Sequence, residues 1–291
     1  MPDLADLQTF VAVAEAGGVS PAARRLGLPK SIVSRRLSRL ERELGTQLLT
    51  RTTRGAALTE AGATFREHAA RISAEMQAAC DSLAPEGQVR GLLRVSAPLS
   101  FGATHIAPVL AELARRHPNL QVHAAYTDRF VDLVAGGFDA AIRLGYLADS
   151  SLVGRRIRPF RGRLVASPAY LALHGAPVTL DEVAMHPALM QGTESWRFKD
   201  ADGVRVVHPQ GRFKADNGHA LVAAALAGLG IAALPDFLIE EHLASGALVS
   251  LLAEHPMPEA GLYVVRPPGS HPPRKVRALT DIMVEKFGNG V

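Results

Sequence analysis

A short stretch near the N-terminus has a larger net positive charge than the whole 291-residue sequence. Between Ser20 and Arg54, nine basic residues stand against two acidic ones, a local charge of +7 in a chain whose formal net charge is +4. The nine are Arg24, Arg25, Lys30, Arg35, Arg36, Arg39, Arg42, Arg51 and Arg54. Such a cluster suits a phosphate polyanion, because neutralising phosphates releases condensed counterions. A solvated basic helix face would carry the same charge, and Arg24 and Arg25 in particular could be no more than surface charges.

The composition excludes several other classes of protein. A hydrophobic fraction of 47% with 21% charged residues is typical of a soluble globular chain, and the length is about twice that of a typical domain. The one cysteine, Cys80, cannot form an internal disulfide, and no Cys/His set has zinc-ligand spacing. The acidic N-terminus is unlike a signal peptide, and no apolar stretch approaches the length of a membrane span. We therefore expect a cytoplasmic protein with no metal, cofactor or membrane partner.

The elements that present the basic cluster are predicted to be short helices. Apolar residues recur at helical spacing up to Gly17, which ends a first helix. Ser20 stands where an N-cap belongs, with Pro21 in the first turn of a second helix that runs to Leu26. A third helix is predicted over Lys30 to Leu44, with its serines and arginines outward. Two short helices around a glycine turn make a helix-turn-helix.

A wing and a long helix follow. The pattern from Gln47 to Leu58 predicts two short strands around a basic tip. Thr59 then caps an amphipathic helix of about 25 residues that continues to Leu83. Such a helix suits a partner helix in a dimer, although packing on its own subunit is the alternative.

From Gly91 onward, strands and helices alternate, which predicts a mostly parallel sheet covered by helices. The predicted strands are Leu92–Ala97, Leu120–Tyr126, Phe138–Leu144, Ile231–Leu234 and Gly261–Arg266. The predicted helices are Thr104–Arg116, Asp128–Ala135, Asp216–Gly228, Pro235–Leu243 and Arg274–Phe287.

The sequence resembles LysR-type transcriptional regulators over essentially its whole length. The N-terminal motifs that carry the resemblance are Leu7-Gln8-Thr9-Phe10, Ala22-Ala23-Arg24-Arg25-Leu26-Gly27, Val33-Ser34-Arg35-Arg36-Leu37 and Leu58-Thr59-Glu60-Ala61-Gly62. The C-terminal ones are Arg94-Val95-Ser96, Asp139-Ala140-Ala141-Ile142-Arg143, Ser167-Pro168-Ala169-Tyr170-Leu171 and Ala227-Gly228-Leu229-Gly230-Ile231-Ala232. Two positions depart from the family pattern, Leu49 in place of Phe and Arg36 in place of Gln or His, and the second bears on which base is read.

The resemblance implies a multidomain α and α/β fold. Residues 1–58 would form a winged helix-turn-helix DNA-binding domain, and 59–90 a linker and dimerisation helix with a hinge. Residues 91–291 would form a two-lobed effector-binding domain similar to periplasmic binding proteins. We expect lobe one at 91–163 plus 267–291 and lobe two at 164–266. The family also implies a homodimer, assembling into a homotetramer, that regulates transcription at a double-stranded DNA operator and contacts RNA polymerase.

The third helix can enter the major groove, where arginine pairs with guanine and serine reaches base or phosphate. We expect Ser34, Arg35 and Arg36 to read bases. The other candidates, which we expect to touch mainly the DNA backbone, are Ser20, Lys30, Ser31, Arg39, Arg51, Thr53 and Arg54.

Ligands of α/β sheets lie beyond the carboxyl ends of parallel strands, and helix N-termini there suit anions. The candidate effector-binding residues are Ser100, Phe101, Arg143, Gln191, Thr193, Asn217 and His219. Ser100 and Asn217 could instead be N-caps, and His219 a surface histidine. The expected effector is a small polar organic molecule, with a carboxylate as the leading candidate, and Trp196 could stack on an aromatic one.

An enzyme is the main rival, but the usual catalytic motifs are absent from the sequence. It contains no Gly-x-Ser-x-Gly elbow, no phosphate-binding loop and no His-Glu-x-x-His. Gly228-Leu229-Gly230 follows a helix, so it indicates a helix-to-strand turn rather than a dinucleotide site. A transport-type solute-binding protein would need an export signal, and an architectural DNA protein would not need the two-lobed domain.

Overall fold

The N-terminal part folds as a winged helix-turn-helix followed by a long helix. The structure, a computed structural model, describes residues 2–52, 55–83, 88–129, 131–133, 136–147, 151–192, 194–269 and 271–288. The N-terminal elements are α1 (Leu4–Ala16), α2 (Val19–Leu26), α3 (Lys30–Leu44), β1 (Leu49–Thr52), β2 (Gly55–Leu58) and α4 (Glu60–Leu83). β1 and β2 form the antiparallel wing. The predicted bounds of the third helix agree with α3 at both ends.

Side-chain caps and left-handed glycines set the ends of these helices. The Asp3 carboxylate accepts a hydrogen bond from the Ala5 amide at the start of α1, and Thr59 Oγ1 accepts one from the Gly62 amide at the start of α4. Gly17 ends α1 with a φ of 67°, a conformation that glycine adopts without steric cost.

The predicted N-cap role of Ser20 is wrong. The N-cap lies two residues earlier, at Gly18, which makes no side-chain capping hydrogen bond, and α2 begins at Val19. The Gly18 carbonyl accepts the first helical hydrogen bond, from the Ala22 amide at 3.2 Å. The glycine pair turns the chain so tightly that Ser20 already lies inside the first turn of the helix.

Apolar residues of the three short helices, the wing and α4 form the N-terminal core. Phe10, Val33 and Leu40 are fully buried, and the Phe65 ring of α4 lies 5.6 Å from the ring of Phe10. The core therefore holds α3 between α1 and the wing with its polar face outward.

The described part of the chain from Val89 onward forms two five-stranded sheets and a hairpin, with helices between the strands. Its strands are β3 (Gly91–Ala97), β4 (Leu120–Tyr126), β5 (Ala140–Gly145), β6 (Val153–Phe160), β7 (Gly162–Ala166), β8 (Pro187–Met190), β9 (Trp196–Asp200), β10 (Gly203–Val207), β11 (Gln210–Lys214), β12 (Ile231–Pro235), β13 (Val249–Leu251) and β14 (Ala260–Arg266). Its helices are α5 (Leu99–Phe101), continued by a π-helical turn (Gly102–Ile106), α6 (Ala107–Arg116), α7 (Pro168–His174), α8 (Leu180–Val183), α9 (Gly218–Leu226), α10 (Asp236–Ala244) and α11 (Arg274–Phe287).

Each sheet is the centre of one lobe. The order in lobe one is β4-β3-β5-β14-β6, and in lobe two it is β11-β8-β12-β7-β13. The strands β4, β3 and β5 are parallel, and β14 runs antiparallel to both of its neighbours. The hairpin β9-β10 packs on lobe two, where Trp196 and Phe198 join its core.

The predicted boundary of lobe two is wrong at its C-terminal end. Because β14 pairs with β5 and β6, Ala260–Arg266 belongs to lobe one rather than to 164–266. Apolar residues on both faces of β14 suit this central position in the sheet. The chain crosses between the lobes twice, from β6 into β7 and again between β13 and β14.

The predicted helix Asp128–Ala135 is also wrong for the residues that the structure describes there: 128–129 form bends, 131–132 are irregular and 133 lies in a turn. The Asp128 carboxylate, which could have capped such a helix, instead accepts a hydrogen bond from the Leu99 amide at 2.8 Å. Leu133 packs with Ala141 and Val265 at the side of lobe one. These long-range contacts replace the local helix.

Candidate nucleic-acid interface and interlobe cleft

The outward face of α3 presents the residues that the sequence predicted as DNA contacts. Lys30, Ser31, Ser34 and Arg35 are exposed, and Arg36 is half-buried at the edge of this face. The Arg36 guanidinium lies 3.4 Å from Thr9 Oγ1, which itself donates to the Ala5 carbonyl of α1. The helix therefore presents basic and hydroxyl-bearing side chains on one exposed face, and an α-helix is an element that the major groove admits.

Arg39 occupies a different environment from its neighbours on α3. Its Nε and Nη2 atoms donate to the two carboxylate oxygens of Asp6 at 2.5 and 2.6 Å, and Asp6 is only 1% exposed. The hydrogen bond to Asp6 raises the pKa of Arg39 above its ordinary value. This bidentate pair fixes α3 on α1. The sequence did not indicate it, and the predicted phosphate contact of Arg39 stays a prediction.

The remaining DNA candidates lie at the margins of α3. Ser20 is half-buried in α2. Thr53, Arg54 and the side chain of Arg51 lie outside the part of the chain that the structure describes.

A carboxylate of α1 connects the DNA-binding module with lobe one. Glu15 forms an ion pair with Arg25 of α2 and a second one, at 3.0 Å, with Arg94 of β3. The Glu15 side chain is 13% exposed, so solvent screens these pairs only in part. The backbone of Arg94 is held in turn by Asp139, whose carboxylate accepts from the Arg94 amide at 2.8 Å.

A cavity of about 430 Å³ lies between the lobes. Ser100, Phe101 and Arg143 line it from lobe one, and Gln191 lines it from lobe two, so four of the predicted effector residues come together. Asn217 and His219 are not among its lining residues, although Gly218 between them is. The Asn217 side chain instead caps α9 by accepting from the His219 amide at 2.8 Å. Thr193 lies outside the described residues.

At two places in the cleft, backbone amides that could bind an anion already donate to side chains of the protein. The Gly218 amide, at the N-terminus of α9, donates to Ser100 Oγ at 2.9 Å and so joins the two lobes. The carboxylate of Glu194 accepts from the Gln191 and Gly192 amides, both at 2.6 Å. Sequence reasoning missed Glu194, and the only available signal was an acid next to the predicted effector-binding residues Gln191 and Thr193.

Charged and aromatic groups give the cleft its character. Burial lowers the pKa of Arg143 and raises that of Asp128, which lines the same cavity. The rings of Phe101 and Phe160 in lobe one lie 4.8 and 5.6 Å from the ring of Phe237 in lobe two. The cleft can therefore surround an apolar body and place a charged group beside Arg143.

Trp196 lies in the wall of the cleft but belongs mainly to lobe two. It is 3% exposed and packs in the core cluster of that lobe. Among the described residues, no helix combines the length and apolarity that a bilayer span requires, and no group of three or more His, Cys, Asp or Glu side chains is arranged to hold a metal ion.

The fold and the two sites define a winged helix-turn-helix DNA-binding protein that carries a two-lobed α/β ligand-binding domain. Comparison with known proteins gives the same division of the chain. The family described as bacterial regulatory helix-turn-helix protein, lysR family, matches residues 4–63, and the LysR substrate binding domain matches residues 86–288. The chain belongs to the LysR family of transcriptional regulators.

Curated relatives match the chain over almost its whole length. It is 37% identical to the transcriptional regulator PtxR of Pseudomonas aeruginosa, covering 98% of this chain and 93% of the relative. It is 36% identical to CrgA of Neisseria meningitidis, covering 98% of this chain and 97% of the relative. These names confirm the prediction that the chain is a transcriptional regulator rather than its rival, an enzyme.

Solved structures agree with the fold. CrgA of N. meningitidis has a TM-score of 0.59 at 35% identity, covering 98% of this chain and 99% of that chain. The Vibrio cholerae virulence activator AphB has a TM-score of 0.61 at 28% identity, again covering 98% and 99%. The predicted multidomain fold is thereby confirmed.

Proposed function

We propose that this regulator binds a pseudo-palindromic operator in a sequence-specific manner and responds to a small organic effector held between its lobes. The observation that carries the DNA half of the proposal is the exposed face of α3, which the Arg39–Asp6 pair fixes on α1. A rigidly held helix can place Ser34, Arg35 and Arg36 against base edges, whereas a loosely attached one could not select a sequence. The wing residues Arg51, Thr53 and Arg54 would add contacts to phosphate or the minor groove.

Dimerisation through α4 supplies the second half-site. The helix contains 24 residues, about 36 Å at 1.5 Å per residue. Its first part packs on the winged domain, since Ala69 is fully buried, whereas Ile72 and Met76 are 48% and 47% exposed. These two residues are four apart and so lie on one helix face, which suits the same face of a second copy. A tetramer would pair two such dimers.

The effector half of the proposal rests on the interlobe cavity. Its volume is within the range of small-molecule sites, and Arg143 supplies a cation among aromatic walls. A carboxylate-bearing metabolite fits this arrangement and would also compete with Ser100 for the Gly218 amide. No cofactor is needed for this function.

Signal transfer from the cleft to the DNA would pass through lobe one. The Glu15–Arg94 pair joins α1 to β3, and β3 leads directly into the Ser100 wall of the cleft. A change in lobe position would thus move the attachment of the winged domain and alter its spacing on the operator. RNA polymerase would be the next partner, in the cytoplasm. The regulator would recruit it to the promoter or exclude it from there.

The test is binding of the purified full chain to its own upstream intergenic DNA and to a scrambled duplex over a salt series. We expect a clear preference for the native duplex and a footprint that repeats about once per helical turn. Equal, steeply salt-dependent binding to both duplexes would contradict a sequence-specific function.

Two arginine variants assign roles within the interface. Arg36→Ala should cost about 1 to 3 kcal/mol at one base position and relax the preference there, whereas Arg54→Ala should weaken all sequences alike. Arg277→Ala, an exposed arginine on α11, is the matched control and should bind as the wild type does. Equal losses on native and scrambled DNA for Arg36→Ala would remove it from the base-reading set.

A further inference from the structure

Lobe two contains a second cavity, of about 400 Å³, beside the crossing between the lobes. Three segments enclose it: the start of β7 with the residue before it, the hairpin strand β9, and residues 250–259, which comprise the end of β13 and the segment after it. We call it the crossover cavity. Arg161, Gly162 and Met257 line both this cavity and the interlobe cleft, so the crossover segment separates two neighbouring sites.

Three cationic side chains line the crossover cavity, and they differ in whether an acidic side chain already pairs with them. Arg161 pairs with Glu259 at 3.2 Å and Arg163 with Asp236 at 2.9 Å, in both cases through Nε. A guanidinium has five N–H donors, so either arginine can also bind an anion. Lys199 is exposed, and no carboxylate in the described ranges of the chain forms an ion pair with its ammonium group. Lys199 therefore supplies the charge that a ligand can neutralise.

The walls of the cavity are held by the backbone. The Lys199 amide donates to the Pro256 carbonyl at 2.8 Å, which ties β9 to the segment after β13. In the same segment, between the end of β13 and Pro256, Leu252 has a φ of 50°. This is the one left-handed non-glycine conformation in the described part of the chain. A side chain makes this conformation costly, and such strain persists mainly where a binding or functional surface requires it.

Apolar side chains complete the lining. Leu164, Leu251 and Met257 face the cavity together with the three cations. A fully polar ion would leave these apolar surfaces in water, and an uncharged apolar molecule would make no use of the positive charge of Lys199.

We propose that the crossover cavity is a second ligand site, separate from the interlobe cleft, that takes a small amphipathic anion: an apolar body with one carboxylate or sulfonate. The charged group binds Lys199 beside Arg161 and Arg163, and the apolar body covers Leu164, Leu251 and Met257. The crossover segment both lines this cavity and connects the lobes. A ligand bound in the cavity would therefore contact the connection between the lobes.

The test uses 8-anilinonaphthalene-1-sulfonate, an amphipathic anion whose fluorescence rises in apolar surroundings, titrated into the full chain. Lys199→Glu should weaken the affinity of the probe for the crossover cavity about tenfold or more. Lys214→Glu is the matched control, since it makes the same charge change on an exposed strand of the same lobe and outside the cavity. It should leave the titration unchanged.

Competition then tests the ligand class. Hexanoate should displace the probe from the wild type, and hexylamine, with an equal apolar chain and the opposite charge, should not. Identical titrations of wild type and Lys199→Glu, equal losses in both variants, or displacement by hexylamine would each overturn the proposal. Lys199→Gln repeats the measurement if Lys199→Glu has an altered thermal unfolding curve, and DNA binding of both variants reports separately on the regulator function.

Discussion

Ser100→Ala removes the hydrogen bond that joins the two lobes at the N-terminus of α9. Ser100 Oγ accepts from the Gly218 amide at 2.9 Å, and alanine has no acceptor to replace it. A neutral hydrogen bond contributes about 0.5 to 1.5 kcal/mol, so its loss should raise the population with separated lobes about two- to twelvefold. The Phe101–Phe237 contact, at 4.8 Å between ring centroids, remains and keeps the lobes from separating altogether.

The single tryptophan of the chain reports on this change without a label. Trp196 lines the cleft and is 3% exposed, so separation of the lobes should open it to acrylamide and raise its quenching constant. Ser245→Ala is the matched control. Its hydroxyl donates to the His242 carbonyl on the outside of lobe two and has no part in the contact between lobes.

Two results would refute the reasoning. If Ser100→Ala and the wild type show equal quenching, the hydrogen bond does not hold the lobes together. If Ser245→Ala raises quenching as much as Ser100→Ala does, the effect reports general loosening of lobe two rather than separation of the lobes.

Gly62→Ala would place a methyl group against the Leu48 carbonyl, and we expect it to destabilise the winged domain by about 1 to 3 kcal/mol and to weaken operator binding. Circular dichroism during thermal unfolding measures this, and a wild-type unfolding curve would contradict it. Hydrogen bonds from Arg115 and Arg116 lower the pKa of Glu112 to about 2, and Arg116 lowers that of Glu285 to about 2, from ordinary values of 4.5. The stability that these carboxylates contribute is therefore present above pH 4.5 and lost as the pH falls toward 2, and Arg116→Gln should lose less stability than the wild type over that interval in urea unfolding at stepped pH.

Sequence patterns predicted the elements whose signals are local. α3 and α11 have the predicted bounds, since each begins beside a proline and the helical spacing of apolar residues continues to its last turn. The helix predicted from Asp128 failed because its carboxylate is used by the Leu99 amide 29 residues away, a partner that no local pattern reveals.

In the candidate sites, too, local patterns predicted some residues and missed the contacts between residues far apart in sequence. The outward face of α3 follows from helical periodicity, and Ser100 and Arg143 follow from the rule about carboxyl ends of strands. The pairing of Arg39 with Asp6 and of Arg94 with Glu15 joins residues far apart in sequence. A count of charges cannot distinguish Arg39 and Arg94 from arginines that lie free on the surface. Only the fold shows which arginines are paired.

On the proposed path of signal transfer, the Glu15–Arg94 pair also limits how far the DNA-binding and effector domains can be exchanged between regulators. A chimera that receives a foreign winged domain keeps Arg94 of β3 but loses its acid unless the donor has a carboxylate at the position of Glu15. Such a hybrid could bind DNA and ligand yet fail to transmit one to the other. On that path, keeping Glu15 with the foreign recognition helix is expected to preserve communication, and the pair becomes a design constraint for biosensors built from the chain.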